Sequence, residues 1–154
     1  MGEKLPIMRN FKNKTVLITG HTGFKGSWLS MWLIHLGAKV IGVSNGEVSE
    51  QSNFIASEIS NIIDDRRFDI RDTNAVKALV KEVRPDFVFH LAAQSLVRPS
   101  YENPIETMST NAIGSANVLE ALRCLDKKVV AVMITSDKAY DNVEWVWGYR
   151  ETDR

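Results

Sequence analysis

The chain has 154 residues, room for one domain that buries roughly 70% of the surface its unfolded form exposes. Hydrophobic residues at 44% and charged residues at 25% exclude the disordered and low-complexity classes. Nineteen basic and nineteen acidic residues cancel without forming a basic stripe, which excludes the electrostatic footprint of a nucleic-acid binder. The opening MGEKLPIMRNFKNK has no apolar run of signal-peptide length, and no stretch approaches the ~18 apolar residues of a membrane helix. A cytoplasmic protein without a membrane partner is therefore expected. The single cysteine, Cys124, lies beside Leu122 and Leu125, so a packed thiol is expected rather than a disulfide. His21, His35 and His90 lie far apart without partners at ligand spacing, and no metal site is expected.

Apolar runs alternate with helical patterns from Thr15 onward. TVLIT (residues 15–19) is short, β-branched and followed by glycine, which predicts a buried strand. Trp28, Leu29, Trp32, Leu33 and Leu36 recur at the spacing of an amphipathic helix, closed by Gly37. KVIGV (39–43) predicts a second strand, SNGEVSEQSN (44–53) a loop and residues 54–63 a short helix. Residues 67–70 predict a third strand. Asp72 then reads as the N-cap of a helix through Ala75, Val76, Leu79, Val80 and Val83, and Pro85 enforces its exit.

FVFHLAA opens a fourth strand at Phe87. A long helical pattern follows over residues 104–124, through Ile113, Val118, Leu119 and Leu122, and VVAVMIT (129–135) predicts a fifth strand. Strands alternating with helices imply an α/β fold: a doubly wound parallel sheet, Rossmann-like, of about five strands with helices on both faces.

Between the first strand and the first helix runs TGHTGFKGS, with glycines at 20, 23 and 26. Glycine at a strand-to-helix turn lets the backbone approach a pyrophosphate, while free helix N–H groups favour the anion. The rival P-loop needs lysine after its last glycine, whereas Lys25 precedes Gly26. Glycines that serve helix–strand packing alone are the bland alternative. An acidic residue about twenty positions on would hold a ribose, but this chain has Ser44 and Asn45 there, with Glu47 late. With no arginine expected by that strand tip to meet a 2′-phosphate, NAD is favoured over NADP. Asp69 is a candidate acceptor for an adenine amino group, or a turn residue. Ala92 and Ala93 would let a cofactor lie close, or simply pack tightly.

TGHTGFKGSWLS, FDIRD, FHLAAQSLVRPSYENPIETMSTNAIGS and ITSDKAYDNVEWVWGYRE, taken in order, resemble the extended short-chain dehydrogenase/reductase superfamily and, within it, the N-terminal part of the CDP-glucose 4,6-dehydratases. The resemblance covers roughly residues 10–154 and is poorest over 45–66, where NGEVSEQSN replaces a proline-containing loop. It implies cofactor contacts from Gly20, Thr22, Gly23, Phe24, Lys25 and Gly26 in the glycine loop, and from Ser44, Asp69 and Ile70 at the adenosine end. Leu91, Ala92, Ala93 and Gln94 follow the fourth strand in that assignment. Asn111 and Thr135 would steady the strand ends around NAD, with packing as the alternative.

The chemistry so implied acts on a sugar nucleotide: hydride leaves C4 for NAD, water is lost across C5 and C6, and hydride returns to C6. Ser136 would bond the C4 oxygen, Asp137 would protonate the C6 oxygen and Lys138 would take the C5 proton. A lysine serves as base only where neighbours and desolvation destabilise its ammonium form. By spacing alone the triplet reads equally as a solvated strand-end turn. Trp145, Trp147 and Tyr149 would form an aromatic wall near the sugar nucleotide or cover the core.

A Y-x-x-x-K pair, which the resemblance assigns to C4 oxidation, is expected beyond residue 154, as is the substrate-binding region. Tyr140 and Tyr149 are followed four positions on by Glu144 and Asp153. Residues 1–154 are thus expected to be the N-terminal part of a dinucleotide-binding domain, incomplete relative to the family and inactive alone. Two other readings are an NAD-binding or interaction module without catalysis and part of a related epimerase or reductase, which EWVWGYRE argues against. Self-association through an uncovered apolar face of the 104–124 helix is a further expectation.

Overall fold

A computed structural model of the chain describes residues 10–46 and 49–154, apart from the side chain of Asp137. Glu47 lies outside the described residues. Among the described residues, five strands form one parallel sheet in the order β3-β2-β1-β4-β5. They are β1 (Thr15–Thr19), β2 (Lys39–Ser44), β3 (Asp64–Arg67), β4 (Phe87–His90) and β5 (Val130–Met133). The helices are α1 (Phe24–His35), α2 (Asn53–Ala56), α3 (Thr73–Val83) and α4 (Val97–Glu102), then α5 (Pro104–Met108) and α6 (Ser115–Arg123) joined by a π-helical segment over Ser109–Gly114.

Side chains alternate across the sheet, as a strand requires. Leu17, Ile41, Val43 and Val88 meet Val76, Leu79 and Val80 of α3 and Val118 and Ala121 of α6 on one face. Val16, Ile18 and Val40 meet Leu33 of α1 on the other. Helices therefore cover both faces, as the alternating pattern predicts. Asp72 caps α3 as expected, its carboxylate accepting from the backbone N–H groups of Asn74 and Ala75.

The third strand is displaced from residues 67–70 to 64–67. Asp64, Asp65, Arg66 and Arg67 pair with Ile41 to Ser44 through the backbone and present no apolar side chain to a pattern search. Such a strand is tolerable because it is an edge, where charges also discourage further pairing, and its charges are paired: Arg66 with Asp64 and Glu82, and Arg67 with Asp65. The short helix expected over 54–63 breaks after Ala56, since Glu58 takes a left-handed φ of 51° before a 3-10 turn at Ile59–Asn61. Helix α4 had no expected counterpart.

The inner face of α1 also differs from expectation. Gly26, Ser27, Ser30 and Leu33 are buried, while Trp28 and Trp32 are more than half exposed. Small residues bring the helix close to the sheet, and indole rings of that size have no room beneath it. Cys124, expected to pack, is exposed at the end of α6. On α5, the π segment and α6, Ile105, Met108, Ile113 and Leu119 are exposed, an uncovered apolar side of the kind anticipated for this helix. Among the described residues no helix is long and apolar enough to cross a membrane.

Candidate functional site

The strand order reverses between β1 and β4, so the loops that follow these two strands diverge and open a crevice above the carboxyl edge of the sheet. A cleft of about 1160 Å³ lies there. It is lined by Gly20, Thr22, Gly23, Phe24, Lys25 and Gly26 after β1, by Ser44 at the end of β2 and by Asp69 and Ile70 beyond β3. Leu91, Ala92, Ala93 and Gln94 after β4, Asn111 from the π segment and Thr135 beyond β5 complete the predicted set. Moving β3 back places Asp69 past a strand end, at the same edge as the others.

The glycines of the loop are not equivalent. Gly20 has φ +75°, and a Cβ there would meet the Ala92 nitrogen at 2.8 Å, so β1 and β4 approach too closely for a side chain. A Cβ on Gly26 would lie 2.2 Å from the Gly20 carbonyl oxygen. Gly23 has an extended backbone with φ −70°, and its Cβ would meet no atom closer than 3.4 Å. The protein's own packing therefore demands glycine at 20 and 26 but not at 23. Gly23 is also the N-cap residue of α1, with no side chain to bond the first helical N–H groups, and this helix end lines the cleft.

Polar side chains fix the loops after β2 and β3. The Thr22 and Ser44 hydroxyls are 2.8 Å apart. Asp69 accepts from the Arg71 guanidinium at 2.6 Å and from the Asn45 amide at 2.8 Å, and the Arg71 contact, reinforced by its backbone N–H and by Asn45, holds the carboxyl below the usual carboxylate range. An arginine thus stands near the tip of β2 after all, recruited from beyond β3. Asn117, absent from the sequence reading, is buried in α6; its amide donates to the Ile70 and Arg71 carbonyls and its oxygen accepts from Thr73. Its signal was a polar residue in the buried register beside Val118.

The second wall hangs from the loop after β4. The Asn111 side chain grips the Gln94 backbone from both sides, accepting from its N–H at 2.8 Å and donating to its carbonyl at 2.9 Å. The Gln94 amide is itself occupied by the Leu96 backbone and Thr107. Ser136 and Lys138 line the same cleft, where the Lys138 N–H donates to the Ser136 hydroxyl in a 3-10 turn over Asp137–Ala139. The Asp137 side chain lies outside the described residues. Tyr140 stacks on Tyr149 at 5.0 Å and Trp145 packs on Tyr149 at 5.6 Å, but none of these rings lines the cleft, and Trp145 and Trp147 are exposed rather than covering the core.

The pattern of the GDP-mannose 4,6 dehydratase family matches residues 17–153. A CDP-glucose 4,6-dehydratase of Salmonella typhimurium is 47% identical over 96% of this chain and 41% of its own length. Among solved structures, epimerase Mth375 of Methanothermobacter thermautotrophicus superposes with a TM-score of 0.76 at 30% identity, over 95% of this chain and 42% of that one. A UDP-glucose 4-epimerase of Thermus thermophilus in complex with NAD gives a TM-score of 0.63 at 33% identity, over 71% of this chain and 33% of that one. The chain spans about two fifths of the Salmonella protein.

Proposed function

Since the chain belongs to the GDP-mannose 4,6 dehydratase family, we propose that it is the NAD-binding part of a sugar-nucleotide 4,6-dehydratase, with CDP-glucose as the substrate of the whole enzyme. The observation that carries the proposal is Gly23, an open backbone position at a helix N-terminus whose own packing does not require glycine. A pyrophosphate resting there would require it. Identity to the Salmonella enzyme supports the choice of CDP-glucose, and the NAD-bound epimerase supports the cofactor.

In this proposal NAD supplies a hydride acceptor at the carboxyl edge of the sheet, and the chain's own residues hold it and contribute the elimination groups of the whole enzyme's site. Gly20, Thr22, Gly23, Phe24, Lys25 and Gly26 hold the pyrophosphate. Ser44, Asp69 and Ile70 hold the adenosine. Leu91, Ala92, Ala93, Gln94, Asn111 and Thr135 wall the nicotinamide side. Ser136 hydrogen-bonds the C4 oxygen of the sugar, Asp137 gives a proton to the C6 oxygen, and Lys138 removes the C5 proton once C4 is a ketone. The Y-x-x-x-K pair assigned to C4 oxidation does not occur in these 154 residues, so cofactor binding without turnover is proposed for them.

Calorimetry with millimolar NAD is expected to give saturable heat and a raised Tm. No heat and no thermal shift overturn the cofactor assignment. Formation of the 4-keto-6-deoxy product from CDP-glucose by these residues overturns the absence of turnover. The exposed Ile105, Met108, Ile113 and Leu119 support self-association through the α5–α6 helix. Sedimentation is expected to detect species heavier than the 17.3 kDa chain, and a clean monomer without dye-binding apolar surface argues against it.

A further inference from the structure

His90 ends β4, is 2% exposed and has no part in the assignments above. Its Nδ1 lies 2.7 Å from the Thr19 hydroxyl at the end of β1, and its Nε2 lies 2.8 Å from the Ser115 hydroxyl at the start of α6. The neighbours settle which nitrogen carries the proton. The Ser115 hydroxyl donates to the Asn111 carbonyl at 2.7 Å, so toward His90 it can only accept. Nε2 therefore carries the hydrogen and Nδ1 accepts from Thr19. The Thr19 oxygen in turn accepts the Ala92 backbone N–H at 3.2 Å. Every donor in the series has one acceptor, and burial holds the imidazole below its ordinary pKa, in the neutral form the series needs.

The series closes on itself. It runs from Ala92 through Thr19, His90 and Ser115 to the Asn111 carbonyl, while the Asn111 side chain grips Gln94, two residues beyond Ala92. Both ends of the Ala92–Gln94 stretch, which lines the cleft, are thus held to one turn of the π segment. π-Helical turns concentrate at functional sites, and this wider turn carries the residue that holds both ends.

We propose that His90, fixed as its neutral Nε2–H tautomer between Thr19 and Ser115, is a positioning residue that locks the loop after β4 to the π segment and so sets the wall of the cofactor cleft. The functional half of this statement rests on the cleft's assignment to NAD; the coupling does not. The opposite tautomer would turn the Nε2 lone pair toward Ser115, whose hydroxyl would have to abandon Asn111 to answer it, and the Thr19 hydroxyl hydrogen would lose its acceptor.

Ser115→Ala, with Ser115→Thr as the conservative companion, tests the coupling on the full chain. Long-range nitrogen–proton NMR is expected to find a protonated Nε2 and an unprotonated Nδ1 at His90 in the parent and in Ser115→Thr. In Ser115→Ala the Ala92 and Gln94 amides are expected to exchange at least tenfold faster, while the β1 and β2 amides keep their rates, and the NAD dissociation constant to rise at least tenfold. A role confined to stability would instead speed exchange throughout the sheet. A protonated Nδ1 in the parent, or Ala92 and Gln94 rates unmoved by Ser115→Ala, overturns the proposal. If the parent gives no heat with NAD but Ser115→Ala loosens these amides selectively, the NAD assignment fails and the coupling stands.

Discussion

Gly26→Ala is expected to cost about 3 kcal/mol or more of stability and Gly23→Ala almost none, although both glycines belong to one loop. At position 26 the new methyl lies 2.2 Å from the Gly20 carbonyl oxygen and 2.7 Å from the His21 Cα, both backbone atoms. Overpacking typically costs about 1–3 kcal/mol where side chains can move aside; here the turn itself must open. Set against the roughly 5–15 kcal/mol by which domains are stable, that is a large fraction of the total. Position 23 offers ordinary van der Waals room and a backbone any residue adopts. Alanine there restricts the unfolded chain, a gain of about 0.4–1 kcal/mol in favourable cases, which offsets its poorer fit to the N-cap position that Gly23 holds. Its expected loss is functional: a methyl where a pyrophosphate would rest should raise the NAD dissociation constant at least tenfold. Urea midpoints and calorimetry on the two variants separate the effects. A Gly23→Ala protein that binds NAD as the parent does removes the principal support for the cofactor assignment.

Stability is expected to fall as pH drops from neutrality toward 5, before the carboxylates titrate. His21 is fully buried in the glycine loop, with Nε2 2.9 Å from the Asp65 carboxylate. Burial lowers its pKa despite the opposing hydrogen bond to the Val43 backbone and the pull of Asp65, and Arg67 adds to the lowering. His90 is lowered by burial alone. A folded-state pKa below the unfolded value means that the unfolded chain binds more protons in the window between them. The stabilisation is fully present above about pH 6.5 and is lost as pH falls through that window, at no more than about 1.4 kcal/mol per pH unit for each histidine. Lowered carboxyls, among them Asp64, Asp69 and Asp86, act in the same direction at more acid pH. Denaturant melts between pH 7.5 and 5 check the sign: a flat or rising stability on acidification shows that the buried histidines do not titrate as argued. In His90→Gln the slope should lessen by the contribution of one site.

The strand-helix alternation and the glycine loop were legible because β1, β2 and β4 are buried strands with apolar runs. β3 was not, because DDRR is held by backbone pairing and by ion pairs along an edge, and leaves no periodicity in hydropathy. Trp28 and Trp32 misled for a related reason. Helical spacing identifies a stripe, but steric room decides which stripe faces inward, and Gly26, Ser27 and Ser30 took the inner side. The predicted cofactor residues meet in one cleft because the motifs end at strand tips that the topology gathers on one edge. What holds their loops was hidden. Asn117 reaches back 47 residues to Ile70, and His90 reaches 71 back to Thr19 and 25 forward to Ser115. No local pattern announces a hydrogen bond of that span.

The position of β1 at the middle of the sheet also imposes an order on synthesis. Val16 has Val40 on one side and Phe87 on the other, so β1, made before either partner, gains one flank early and waits for the second until residues 87–90 exist. Meanwhile Leu17 lacks Val118 and Ala121, which close the core only when α6 has been made. Until then the nascent chain carries an open apolar surface and an unpaired strand edge, the two features that invite contact with other chains. The strand that organises the cleft is thus also the one longest exposed before the domain can close around it.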